Sequence, residues 1–81
     1  MERSTIRDQV NKIFVETLGN EDIILLEATT ANDIEEWDSL THMQLVVAIE
    51  EHFKFRFTSK EIQSWANIGE MIDSVSKRIL A

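Results

Sequence analysis

The stretch Glu36-Trp37-Asp38-Ser39-Leu40-Thr41-His42-Met43-Gln44-Leu45-Val46-Val47-Ala48-Ile49-Glu50-Glu51-His52-Phe53 decides how this chain folds. Asp38 is a good N-cap, because its carboxylate can accept from the exposed backbone N–H groups of a first turn. A helix is therefore predicted from Ser39 to His52 or Phe53. Leu45, Ile49 and Phe53 recur every four residues, with Val46 beside them, and make a core face. Leu40, Met43 and Val47 recur at i, i+3 and i+7 and make a second apolar face. A helix in an 81-residue bundle seldom buries both faces. The second is expected to be at least partly exposed, as a binding surface would be.

Upstream, Ile6, Val10, Ile13, Phe14 and Leu18 recur at helical spacing and predict a helix over 4–18. Thr5 with Asp8, or Ser4 itself, is the candidate cap, and Gly19-Asn20 is the stop signal. Residues 20–37 show no sustained period. Ile23, Ile24, Leu25 and Leu26 are apolar enough to dip into a core, and Thr29 to Asp33 has turn chemistry. Loops this long tend to be functional or disordered, and the apolar run favours an ordered one.

Downstream, Phe53-Lys54-Phe55-Arg56-Phe57 alternates like a strand that has nothing to pair with. It is read as an extended connector anchored by its phenylalanines. Thr58 and Glu61 have capping-box spacing and should start a short helix ending near Trp65. Asn67-Ile68-Gly69-Glu70 repeats the signal for a last helix. Its buried stripe is Ile68, Met71 or Ile72, Val75 and Ile79, and Lys77 and Arg78 suit its final turn. The expected fold is all-α: a four-helix bundle with three longer helices, one short helix and a long loop between the first and second. One domain is expected over 1–81.

Composition agrees. Hydrophobic residues make up 43% and charged residues 28%, an ordinary globular balance. The absence of proline and the presence of only two glycines disfavour a turn-rich sheet protein. Having no cysteine, the chain has no disulfide, thiolate metal site or cysteine nucleophile. No apolar run is long enough to span a bilayer, and Met1-Glu2-Arg3-Ser4 lacks the start of a secretion signal, so a cytoplasmic location is expected. The formal net charge is −7, and residues 20–51 hold nine acidic side chains and no Lys or Arg. Such a field repels nucleic acid and anionic membrane and attracts basic protein surfaces. By itself it is equally the solvated face of a soluble protein.

Asp38-Ser39-Leu40, where a long acidic loop meets the second helix, resembles the signature of the acyl carrier protein family. The tripeptide alone is weak. The likeness extends over nearly the whole chain, through the order of helices, the long loop and Glu50-Glu51-His52-Phe53 at the end of the apolar helix. The resemblance implies that Ser39 is the attachment point of 4′-phosphopantetheine, transferred from coenzyme A by a phosphopantetheinyl transferase. Asp38 would cap the helix beside it. The chain would then hold acyl groups as thioesters on that arm and present them to acyl-transferring or acyl-modifying enzymes with basic docking surfaces. It would be a carrier rather than an enzyme, and a monomer. A phosphodiester on Ser39 would sit at the positive end of the helix dipole near free N–H groups, which favours an anion by roughly 0.3–1 kcal/mol at an exposed site. The missing cysteine fits, because the thiol belongs to the arm.

Leu40, Met43, Gln44, Val47, Glu50 and Glu51 would form the partner-docking face. Four positions depart from the family pattern: Gln44 where an acid is frequent, Thr41-His42 where Asp-Thr is frequent, and Trp37 in place of a small residue. They point to a specialised carrier, of a polyketide or peptidyl type or dedicated to one pathway, rather than the general fatty-acid one. The alternative is an acidic helical interaction domain without a prosthetic group.

The remaining candidates read as structural. His42 and His52 lack a partner nucleophile or ligand spacing and are expected to face solvent. Trp37 and Trp65 are expected to pack. Asp33, Glu35, Glu36 and Asp38 could hold a divalent cation only weakly, since they lack the spacing of a calcium loop, so no metal site is assigned.

Overall fold

The computed structural model describes residues 2–80; Met1 and Ala81, the ends of the expected domain, lie outside the described residues. Four helices follow one another: α1 (Arg3–Leu18), α2 (Ser39–Phe53), α3 (Ser59–Ser64) and α4 (Ile68–Leu80). A single 3₁₀ turn, Ala31–Asp33, interrupts the long α1–α2 loop. Among the described residues there is no strand. The all-α bundle with one short helix is therefore observed as expected.

The helix ends follow local chemistry, with one exception. Gly19 ends α1 at φ 68°, its N–H donating to the Val15 carbonyl at 2.9 Å. A left-handed residue at this position suits glycine. At the other end, the residue flanking α1 is Glu2, which makes no side-chain cap, so neither Ser4 nor Thr5 plays the capping role expected of it. Lys54 ends α2 in the same left-handed conformation without being glycine. Thr58 and Glu61 form the capping box of α3, and the Asn67 side chain accepts from the Glu70 N–H at 3.0 Å at the start of α4.

α1 packs on both α2 and α4. The core joins Ile6, Val10, Ile13 and Phe14 of α1 to Leu45, Val46 and Ile49 of α2 and to Ile68, Met71, Ile72 and Val75 of α4. Both Met71 and Ile72 are buried, where one alone was expected. Full burial of such a side chain is worth roughly 1.5–3 kcal/mol, so this stripe is what holds α4 to the bundle.

The α1–α2 loop lies on this core in extended form. Extended backbone sends successive side chains to opposite sides. Ile23 and Leu25 are buried, while Ile24 and Leu26 are 78% and 60% exposed. The apolar run thus dips into the core by alternate residues only, not all four. Ile34 and Trp37 complete its buried contacts. Polar anchors hold it as well. The Asn11 amide on α1 donates to the Ile23 carbonyl at 3.1 Å and accepts from the Leu25 N–H at 2.6 Å. The loop in turn supplies acceptors to the N–H groups that open α4: Ile68 donates to the Thr29 carbonyl at 2.9 Å and Gly69 to the Glu27 carbonyl at 2.8 Å. Helix N-termini carry such orphan donors by construction. Arg3 pairs with Glu27 and Asp73 over the same junction.

Candidate functional site

Ser39 is the first residue of α2 and is exposed. The turn beneath it is heavily tied. Asp38 Oδ1 accepts from the N–H of Leu40 at 3.0 Å and of Thr41 at 2.9 Å. Reciprocally, the Asp38 N–H donates to the Thr41 hydroxyl at 2.8 Å, and that hydroxyl donates to the Glu36 carbonyl at 2.8 Å. These bonds, that of the Thr41 N–H foremost, hold the Asp38 carboxyl below the usual range, because they favour its charged form. Asp38 is the cap expected of it. Thr41 is a second member that the sequence reading overlooked; its signal is the hydroxyl three residues after the cap. One expectation changes: the N–H groups of Leu40 and Thr41 are occupied by Asp38 and are not free for an anion on Ser39. The helix dipole and the Ser39 N–H, which Asp38 does not take, remain to favour one.

Leu40, Met43 and Val47 are 70%, 49% and 48% exposed. With Gln44, Ala48 and Glu51 they line a shallow open groove along α2 of about 470 Å³. Five of the six expected docking residues are thereby brought together. Glu50 does not line this groove but borders the adjoining one with Val47 and Glu51; it is half-buried, and its Oε2 accepts from the Phe57 N–H at 2.8 Å, tying the end of α2 to the connector.

His42 does not face solvent as expected. It is half-buried, its ring stacked on Trp37 with centroids 5.9 Å apart and edge-on to Trp65 at the same distance. Both ring nitrogens are engaged. The Trp37 indole N–H donates to His42 Nδ1 at 3.0 Å, and His42 Nε2 lies 3.2 Å from the Ile62 carbonyl oxygen. An indole N–H only donates and a carbonyl only accepts. The hydrogen is therefore on Nε2, and His42 bridges the loop to α3. Trp37 and Trp65 both pack, as expected: Trp37 meets Phe14 edge-on at 5.0 Å, and the Trp65 indole donates to Ser74 Oγ at 2.8 Å. His52 is exposed, as expected, with Nε2 2.8 Å from Gln9 Oε1.

Beside Ser39 and between α2 and α3 lies a cleft of about 570 Å³. Its walls include Trp37, His42, Met43, Ile62 and Trp65, and Ser39 stands at its rim with Asp38. An exposed hydroxyl with open space on one side and an apolar cleft on the other suits attachment of a long flexible group. The acidic residues near it have local duties instead of a shared ligand: Asp33 closes the capping box with Thr30, and Glu36 accepts from the Asn20 amide at 2.9 Å. Among the described residues no group of three or more His, Asp or Glu is arranged to hold a metal ion, and no helix is long and apolar enough to cross a membrane.

Two comparisons bear on this site. The family model described as a phosphopantetheine attachment site matches residues 8–75. The chain is also similar to the solution structure of a holo acyl carrier protein from Geobacter metallireducens. The two are 40% identical with a TM-score of 0.85, over 90% of this chain and 84% of the other.

Proposed function

Because this chain belongs to the acyl carrier protein family, whose prosthetic group is covalently attached 4′-phosphopantetheine, we propose that Ser39 is its attachment residue and that the protein carries acyl groups for other enzymes. The observation that carries this reading is the place of Ser39: exposed, first on α2, at the rim of the cleft. When attached, the arm supplies a terminal thiol on which acyl groups are held as thioesters.

The chain's own residues position and present. Asp38 and Thr41 make the first turn of α2 rigid, so the Ser39 hydroxyl is displayed at a constant place to a phosphopantetheinyl transferase. Leu40, Met43 and Val47 offer desolvatable contact area. Glu51, beside them, and the acidic loop draw basic enzyme surfaces. Electrostatic attraction of this kind raises encounter rates by roughly 10–10³-fold and falls with salt. Small contact area with charged rims suits transient docking, which a shuttle requires.

The cargo class is read as specialised. Trp37 and His42, two of the positions that depart from the family pattern, are locked to each other beside Ser39. The test of the attachment site is incubation with coenzyme A and a broad phosphopantetheinyl transferase, followed by intact mass. A gain lost in Ser39→Ala is expected. No gain, or a gain that survives Ser39→Ala, overturns the assignment.

A further inference from the structure

Ser39, His42, Val46 and Ile49 follow one another at i+3, i+4 and i+3 and so share one face of α2. Val46 and Ile49 are wholly buried core residues. Anything hung from Ser39 that runs inward along this face meets His42 before it meets Val46. His42 is not a loose side chain: one ring nitrogen is held by the Trp37 indole and the other by the Ile62 carbonyl. Trp37 and Trp65 pack against its ring on two sides. The cleft next to Ser39 is lined by Trp37, His42, Met43, Ile62 and Trp65, and by none of Leu45, Val46 or Ile49.

We infer that the Trp37–His42–Ile62 bridge is a bolt between the outer cleft and the core, and that His42 thereby sets which cargo this carrier shelters. Resting on the Ser39 assignment, this inference places a short acyl group in the cleft against the two indoles and Met43. A long saturated chain overruns the cleft and stays exposed to solvent or to a partner enzyme. Rotating His42 aside to admit it would break two hydrogen bonds at once and leave a half-buried indole N–H and a carbonyl unpaired. The aromatic walls further favour flat, unsaturated groups, which stack on them.

The test loads the protein and His42→Ala with a series of saturated acyl-phosphopantetheine arms, butanoyl to dodecanoyl, and confirms each by intact mass. Nuclear Overhauser contacts from the chain's terminal methyl and the thermal midpoint are then read. In the unaltered protein the contacts are expected at Met43, Ile62 and the two tryptophans, and the midpoint stops rising once the cleft is full. In His42→Ala the longer chains reach Val46 and Ile49, and the midpoint climbs by about 4 °C or more for each two-carbon step. Contacts to Val46 or Ile49 in the unaltered protein, or their absence from the variant, overturn the inference while leaving Ser39 in place. Failure to load at all overturns the Ser39 assignment and this inference with it. Trp37→Phe, which keeps an aromatic ring but removes the indole N–H with part of the ring volume, gives the same comparison with a smaller rise should His42→Ala not fold.

Discussion

The indole N–H of Trp37 donates to Nδ1 of His42 at 3.0 Å, across the turn on which Ser39 stands. This bond selects one tautomer of the imidazole and so allows its other nitrogen to donate to the Ile62 carbonyl. Trp37→Phe keeps the aromatic packing against Phe14 but leaves Nδ1 without its donor. A loss of about 1–2 kcal/mol is expected, read as a lower urea midpoint with unchanged slope.

Asn11 holds the long loop from the side of α1 by bonding both the Ile23 carbonyl and the Leu25 N–H. Asn11→Leu removes both bonds while keeping comparable bulk. The expected loss is about 2 kcal/mol, since two half-buried backbone groups are left unpaired. Amide exchange should quicken at Leu25 well before it does at Ile49.

Gly69 is held tight against the loop. A Cβ there would lie 3.1 Å from the Glu27 carbonyl oxygen, which itself accepts the Gly69 N–H. Alanine is the better helix former by about 1 kcal/mol, so on propensity alone Gly69→Ala would stabilise α4. Backbone oxygen cannot swing aside as a side chain can, and overpacking typically costs 1–3 kcal/mol. A net loss of about 1 kcal/mol is expected in thermal unfolding.

Acid should weaken the fold by a defined route. Glu61 is held below its ordinary range chiefly by Arg78, and Glu27 chiefly by Arg3. Asp38 is held down by the first turn of α2. A carboxyl depressed in the folded state is protonated more readily in the unfolded chain. Its contribution is therefore whole only above about pH 5, clear of the unfolded-state value, and is lost as the pH falls through the folded-state value. Urea midpoints should decline below about pH 5. The decline should be shallower in Arg78→Gln, where Glu61 has lost its main partner. Parallel pH profiles in the two proteins would contradict this. The Arg78–Glu61 pair is half-buried and still reached by solvent, so added salt should reduce the difference in part.

The proposed docking face is expected to be separable from the core. Val47 is about half exposed and lines the groove with Leu40 and Met43. Val47→Glu places a charge where a partner must be dry. Loading by the transferase is expected to fall roughly 10-fold or more in kcat/KM, with a urea midpoint within about 0.5 kcal/mol of the unaltered protein.

Much of the helical frame could be read from the chain alone, because helix signals act within a turn. Asp38 and Thr58 cap helices whose N–H groups lie two or three residues away, and Gly19 ends α1 by its own backbone freedom. The two faces of α2 were legible for the same reason: a 3.6-residue period separates Leu45 and Ile49 from Leu40, Met43 and Val47 whatever surrounds the helix. The N-terminal cap of α1 was misread because Ser4 and Thr5 lie just inside the helix rather than at its flank, a boundary that local signals place only to within a residue or two.

The place of Ser39 at the head of an apolar helix, behind an acidic loop and in a chain without a thiol, was thus determined by the sequence. Tertiary structure decided the rest of the site. His42 looked solvent-facing because its own helix neighbours give it no partner; Trp37 and Ile62, five and twenty residues away, supply both. Glu50 read only as a docking acid; the connector folds back and gives its carboxylate a second task, accepting the Phe57 N–H. Local rules describe what a residue meets within one turn of its own helix. Which side chain closes the cleft beneath Ser39 depends on how α3 and the loop pack on α2, and that packing is set by the whole core.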